Sequence, residues 1–387
     1  MNTSRILLAS AVAFALARPT RGQPDTVKGL PDVIRTAAEE VLKLAKNQPL
    51  SIGQVTPTGL PDTNGGPAIG VLLRQELERQ KPGIVRDKDA PFEVNGSYVF
   101  APHPDPAEAA LGQKALRLIF RIVDTQSGEE TPLRLSRFFL QDNTSIARVL
   151  QSTGPLPMDP SKDQTAQRRE RNQAIQDQVK DPKAFIDPAH PTLVSSAEGS
   201  PYRVEILAGP IGDGKVRPTL ARPARLEKGF AVIEVERGEV YEVRIHNSSP
   251  EEVAAKIFVD GIDVFQFSDD RDPKDPAKPK FSHFIVAGRT DSETIPGWHK
   301  CVVGPENFLS FLVTAYGQGA STKGVSAQGA VGVVQVQFAL CKPLHPDGRP
   351  RGAGNETGFG PPREVKQQEV KREVGPPIDV VSIRYTR

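Results

Sequence analysis

An α+β fold, with an N-terminal α/β domain followed by a C-terminal antiparallel β-sandwich, is what the 387-residue sequence predicts. Three observations lead there. Helix-period and strand-period segments alternate over residues 31–155. Short β-branched and aromatic runs follow one another without helical patterns over residues 201–345. A Gln-, Pro- and charge-rich stretch, residues 156–200, separates the two and reads as a linker with one segment able to form an exposed helix.

In order along the chain, residues 1–17 read as a secretory signal peptide. Arg5 supplies a positive start, Ile6 to Ala17 an uncharged, mostly apolar run, and Ala15-Leu16-Ala17 the small residues a signal peptidase reads. The run is shorter than the ~20 apolar residues of a membrane span. Residues 18–30 form a spacer. PDVIRTAAEEVLKLAKN opens on Pro31 and repeats apolar residues at Val33, Ala37, Val41 and Ala45, which is helical spacing. LSIGQV (50–55) is a strand, and PAIGVLLRQELERQK a second amphipathic helix with charges opposite Ile69, Leu72, Leu73 and Leu77. FEVNGSYVF (92–100) is a strand. In residues 115–140 Leu116, Leu118, Phe120 and Ile122 share one face, and DTQSGEE turns the chain into a second strand; NTSIARVLQS then opens a helix.

Beyond the linker, YRVEILAG, FAVIEVERGEVYEVRIHN, AAKIFVDGIDVFQF, SHFIVAG, NFLSFLVT and VGVVQVQFALC supply the strands of the sandwich, with a hairpin turn at Asp260-Gly261. Residues 346–377 are a low-complexity excursion, and residues 378–387 return as a final strand.

Lys plus Arg number 49 against 47 acidic residues, a net charge of +2. No broad basic face is available for nucleic acid, and no polybasic block for an anionic membrane. With 36 prolines, 33 glycines and 37 % hydrophobic residues, the composition suggests folded units with generous connections.

Two stretches resemble known families. Helix, strand, helix, then VNGSYVF and LRLIFRIVDTQSGEE, is similar to periplasmic lipoproteins of the curli-secretion and penicillin-binding-protein-activator superfamily. The matching positions are Gly96, Tyr98, Val123, Asp124 and Gly128, with Ser127 where Thr is usual. Those lipoproteins carry an anchoring cysteine, and this chain has none there. VRIHNSSPEEVAAKIFVDGIDVF, FIVAG, IPGWHK, FLSFLVTAYG and GAVGVVQVQF resemble a β-rich module of exported bacterial proteins of unknown function. Both resemblances imply interaction domains of the bacterial envelope and bring no catalytic residues.

The search for chemistry is largely negative. GPIGDGK (209–215) has no helix after it and reads as a loop rather than a phosphate cradle. Serine-hydrolase and H-E-x-x-H signatures are absent, and His103, His190, His246, His283, His299 and His345 are scattered singly, so no metal or cofactor is expected. The loop SDDRDPKDPAKPK carries Asp269, Asp270, Asp272 and Asp275, but Arg271, Lys274, Lys278 and Lys280 compete for them; a solvated, proline-stiffened loop is expected. PGWHKC (296–301) sets Trp298, His299 and Cys301 together. In an exported chain with two cysteines, Cys301 and Cys341 are expected to form one disulfide, closing a loop of about 40 residues worth about 4 kcal/mol. Unpaired thiols, or a Cys301 nucleophile served by His299, are the alternatives. The functional expectation is an exported, periplasmic or extracellular, non-enzymatic envelope protein that binds a protein or envelope polymer. A carbohydrate-active hydrolase with an acid pair, or a component of a surface layer or appendage, are the rivals.

Overall fold

The computed structural model describes residues 6–11, 29–60, 63, 65–86, 89–133, 138–212, 215–216, 219–303, 307–314, 332–343, 362–363 and 367–386. Chain order begins β1 (Ile6–Ala11), α1 (Leu30–Leu44), β2 (Leu50–Pro57), α2 (Gly66–Gln80), β3 (Phe92–Pro102), α3 (Pro106–Ala110) and β4 (Lys114–Asp124). Next come β5 (Glu130–Pro132), β6 (Phe139–Leu140), α4 (Asn143–Leu150), β7 (Gly154–Pro155), α5 (Gln164–Lys180), β8 (Phe185–Asp187) and β9 (His190–Ser195). β10 (Tyr202–Gly212), β11 (Lys215–Val216), β12 (Leu220–Ala221), β13 (Arg225–Glu227), β14 (Phe230–Glu234), β15 (Glu239–Asn247), β16 (Val253–Val259) and β17 (Ile262–Asp263) follow. The chain finishes with β18 (His283–Val286), β19 (Thr290–Ile295), β20 (Gly297–His299), β21 (Phe308–Leu312), β22 (Val333–Pro343), β23 (Pro362–Arg363) and β24 (Gln367–Thr386). The fold is α+β and rich in strand.

The first sheet runs β2-β3-β4-β5, with β6 also on β4. β2 and β3 are parallel, and β3, β4 and β5 are antiparallel neighbours. α1 buries Leu30, Val33, Ile34, Ala37, Ala38 and Val41, the stripe that its helical spacing predicts. α2 starts hard against β2: a Cβ on Gly66 would lie 1.7 Å from the Val55 carbonyl oxygen, so only glycine permits this approach. The turn after β4 is an Asx turn in which Asp124 Oδ1 accepts from the backbone N–H groups of Gln126 and Ser127, 2.9 Å each, with Gly128 at φ 73°.

The second half holds two further sheets. One runs β18-β16-β22-β24-β14-β13, the other β20-β21-β15-β10-β9-β8. The expected all-antiparallel pairing is corrected in the former, where β24 lies parallel to β14 and to β1. Because β1 also pairs antiparallel with β18, it closes β18, β16, β22 and β24 into a ring. The segment read as a signal sequence thus supplies the closing strand.

Two other expectations change. Residues 156–200 are not merely a connection: α5 buries Ile175 and Val179, and β8 and β9 join the third sheet through β10. The last strand begins at Gln367 rather than 378, and residues 344–361 lie outside those described. Pro376 and Pro377 fit inside β24 because the register with β22 shifts between Phe338 and Cys341, so the missing N–H groups fall at the irregularity. Around GPIGDGK, Gly212 pairs with Lys215 as β10 turns into β11, a hairpin as a loop reading requires. The Asp260-Gly261 turn, at φ 51° and 75°, is the two-residue hairpin connection expected.

Buried residues from Leu30 to Ile383 form one contiguous hydrophobic cluster across both halves. Arg148 of α4 fastens them polarly, donating to the Gly261 carbonyl and lying 4.8 Å over the Phe258 ring; burial pulls its pKa down to about 10. Among the described residues no helix is long and apolar enough to cross a membrane.

Candidate functional site

A concavity of about 880 Å³ opens between the helices of the first half and the acidic loop of the second. Ile34 of α1, Leu72 of α2, Phe267 and Leu309 give it apolar surface, while Arg35, Glu76, Arg79, Arg271, Lys278 and Lys300 supply charge. Its volume falls in the range of small-molecule or short-peptide sites.

The charges are mostly spoken for. Arg79 Nε donates to Glu76 Oε2 at 2.8 Å, and Gln80 Nε2 to Glu76 Oε1 at 2.8 Å. Burial works to raise the Glu76 carboxyl, but the hydrogen bonds from Arg79 and Gln80 and the charges of Arg79 and Arg35 outweigh it, so it titrates below its ordinary range. Two contacts cross the mouth of the cleft: Arg35 Nη2 to Asp275 Oδ2 at 3.5 Å, and Gln266 Nε2 to Gln75 Oε1 at 2.9 Å. Lys278, 3.2 Å from Asp275, holds that carboxyl low as well. Glu78 is used structurally, accepting from the backbone N–H groups of Gly83 and Val85 at 2.8 and 2.7 Å.

The acidic loop behaves as its prolines and lysines suggest. Asp272 and Asp275 accept from backbone N–H groups two residues on, Lys274 at 2.8 Å and Ala277 at 3.2 Å, and Asp270 caps Val302 N at 2.7 Å. Among the described residues no group of three His, Cys, Asp or Glu side chains could hold a metal ion. His345 lies outside them.

Trp298 and His299 occupy the layer behind the cleft. β20 runs so close to β21 that a Cβ on Gly297 would lie 1.8 Å from the Leu309 carbonyl oxygen. Trp298 packs edge-on against Phe267 and Phe311, at 5.2 and 5.4 Å between ring centres. His299 turns inward with no exposed surface, ringed by Phe265, Phe281 and Phe308.

Both nitrogens of His299 are engaged. Ser268 Oγ donates to the Lys300 carbonyl at 2.8 Å, so its remaining capacity is to accept, and His299 Nδ1 is the protonated nitrogen that donates to it at 3.0 Å. Nε2 is then an acceptor, 3.2 Å from Oε1 of Gln367. Two acceptors repel at that distance, so the stable arrangement turns the Gln367 amide over and satisfies its NH2, which otherwise has no partner. Burial pushes His299 down to about 3, with the Gln367 contact opposing, and the ring is neutral near pH 7. A neutral histidine fixed at both nitrogens is a core bolt, not a base for Cys301.

The expected Cys301–Cys341 disulfide is not formed. Cys301 follows β20 and is half-buried, whereas Cys341 sits on β22, in a different sheet, packed with Ala254 and Ile285. Cys341 Sγ donates to Glu252 Oε1 at 3.4 Å, and burial together with that carboxylate pushes its thiol up to about 12.

Residues Arg35, Gln75, Glu76, Arg79 and Gln266 escaped the sequence reading. The polar face of α2 was visible in its amphipathic pattern, but nothing local marks that it meets a loop some 190 positions away. Against protein-family models, curated proteins and solved structures, the chain shows no match.

Proposed function

We propose that the chain is an exported, non-enzymatic envelope protein, and that the cleft between α1, α2 and the acidic loop receives a protein or envelope-polymer partner. The observation that carries this reading is the cleft's make-up. It combines an apolar floor with a rim of both charge signs; Glu76 in its lining, and Asp275 beside the lining residues Pro276 and Lys278, are held low by neighbouring cations. Such a surface suits recognition. A glycosidase-type site needs one carboxyl kept protonated near neutrality. Among the described residues the carboxyls that burial raises, Glu293 to about 7 together with Asp142 and Asp379, do not line the cleft. The charge and apolar pattern of residues 1–17 supports export, and the likeness to envelope interaction domains points the same way.

The test is retention of envelope components by the immobilised full-length chain, compared with Arg35→Glu and Phe267→Asp. A partner retained by wild type and lost from both folded variants supports the proposal. Equal retention by all three, or turnover of an envelope polymer by wild type, contradicts it.

A further inference from the structure

A second cavity, of about 690 Å³, shares no lining residue with the cleft. Its walls come from the first turns of α4 and α5, from β16, β18 and β22, and from the Gly375-Pro376-Pro377 stretch of β24. Three cations line it, Arg168, Arg171 and Lys256, against one carboxyl, Asp142.

Arg171 is the informative member. It is only 5 % exposed, yet its hydrogen bonds go to neutral acceptors, the Pro157 carbonyl at 3.1 Å and Gln167 Oε1 at 3.3 Å. Burial draws its pKa down, and no carboxylate acts to restore it. A guanidinium out of water without a counter-ion is an expensive arrangement, and interiors normally supply one. The other cations are committed only in part. Glu108 is held by the Arg169 fork at 2.8 and 3.1 Å, leaving Arg168 at 3.7 Å, and Lys256 lies 3.2 Å from Asp263. Asp142 does not neutralise Arg171: it caps α4 through the Ser145 N–H at 2.7 Å, and burial raises its pKa. His283, 2.9 Å from Ser282 Oγ, is kept neutral by burial and by the Lys256 charge, so it offers ring polarity without adding charge. The N-termini of α4 and α5 border the same space, each already capped by a carboxylate, Asp142 and Asp163, so the pull on an anion comes from the three cations.

We propose that this cavity binds the oxyanion group of a small organic anion, a phosphate or a carboxylate, with Arg171 as its anchoring charge and Arg168 and Lys256 completing the cradle. The ligand supplies the counter-ion that the fold withholds. The volume leaves room for more than the oxyanion itself, so the rest of the molecule lies against Met158, Ala339 and Val374.

The test is calorimetric titration of the folded chain with inorganic phosphate in one arm and succinate in the other, with thermal unfolding followed in parallel. The arm that binds identifies the oxyanion. Arg168→Gln, on a side chain 27 % exposed, leaves the fold in place and weakens binding about tenfold; Arg171→Gln abolishes it, and Arg171→Lys restores part. The proposal is overturned if neither anion binds at about 10 mM, or if Arg168→Gln and Arg171→Gln bind as wild type does. Cleft variants such as Arg35→Glu leave this binding intact, so failure here and failure of partner binding are read separately.

Discussion

Replacing Glu293 by glutamine makes the protein more stable above neutral pH and leaves it unchanged in acid. Glu293 sits on β19 opposite Ile245, 8 % exposed, with Oε1 lacking a hydrogen-bond partner. Burial raises its carboxyl from the ordinary 4.5 to about 7. Below pH 4.5 the group is protonated in both folded and unfolded chains and adds no pH dependence. Between 4.5 and 7 the unfolded chain releases its proton and the folded chain holds it, so stability falls as pH rises. The span corresponds to about 3 kcal/mol at ~1.4 kcal/mol per tenfold change in proton affinity. Glutamine keeps the shape and cannot ionise, so the loss disappears. Urea unfolding of wild type and Glu293→Gln from pH 4 to pH 8 measures the difference while other titrating groups cancel. A gap of about 3 kcal/mol at pH 8 that closes at pH 4 is expected. A gap that does not vary with pH, or a variant less stable at pH 8, refutes the reasoning.

Other consequences follow from the same structure. His299 refuses a proton that the unfolded chain accepts, so stability drops by about 4 to 5 kcal/mol as pH falls from 6.5 to 3. His299→Leu removes that acid sensitivity but strands Ser268 and Gln367, costing about 1–3 kcal/mol at pH 7, which chemical unfolding at the two pH values checks. Thiol titration without reductant finds two thiols in the denatured chain and, in the native one, a Cys341 that reacts far more slowly than Cys301. A chain beginning after Ala17 lacks β1, and hydrogen exchange quickens at the facing edges, His283–Ile285 on β18 and Gln367–Arg372 on β24, relative to the full-length chain.

Much of the first half is legible because its signals are local. The apolar stripe of α1, the alternation in β4 and the Asp124 turn each lie within a dozen residues, and each determines its own structure. α5 shows the limit of that logic. Its Gln- and charge-rich sequence offers only Ile175 and Val179 as an apolar pair, yet it docks through polar burial: Arg171, Asn172 and Gln176 are all enclosed, and Arg169 clamps Glu108. Period counting does not register side chains buried by hydrogen bonds. The expected disulfide rests on compartment and cysteine number, which carry no information on which sheet each cysteine joins. His299 was conspicuous in the sequence for its neighbours Trp298 and Cys301, but its partners Ser268 and Gln367 lie 31 and 68 positions away. The cleft depends on the same kind of distance, joining α1 and α2 to a loop in the other half.

The most direct test of a partner-binding cleft is photo-crosslinking in the envelope, with a photoreactive side chain at Gln75 inside the cleft and, as control, at Leu220, 72 % exposed and outside it. A discrete adduct from position 75 that is absent from position 220, and that is lost on adding Arg35→Glu, is the predicted result. No adduct at 75, or the same adducts from both positions, contradicts the account.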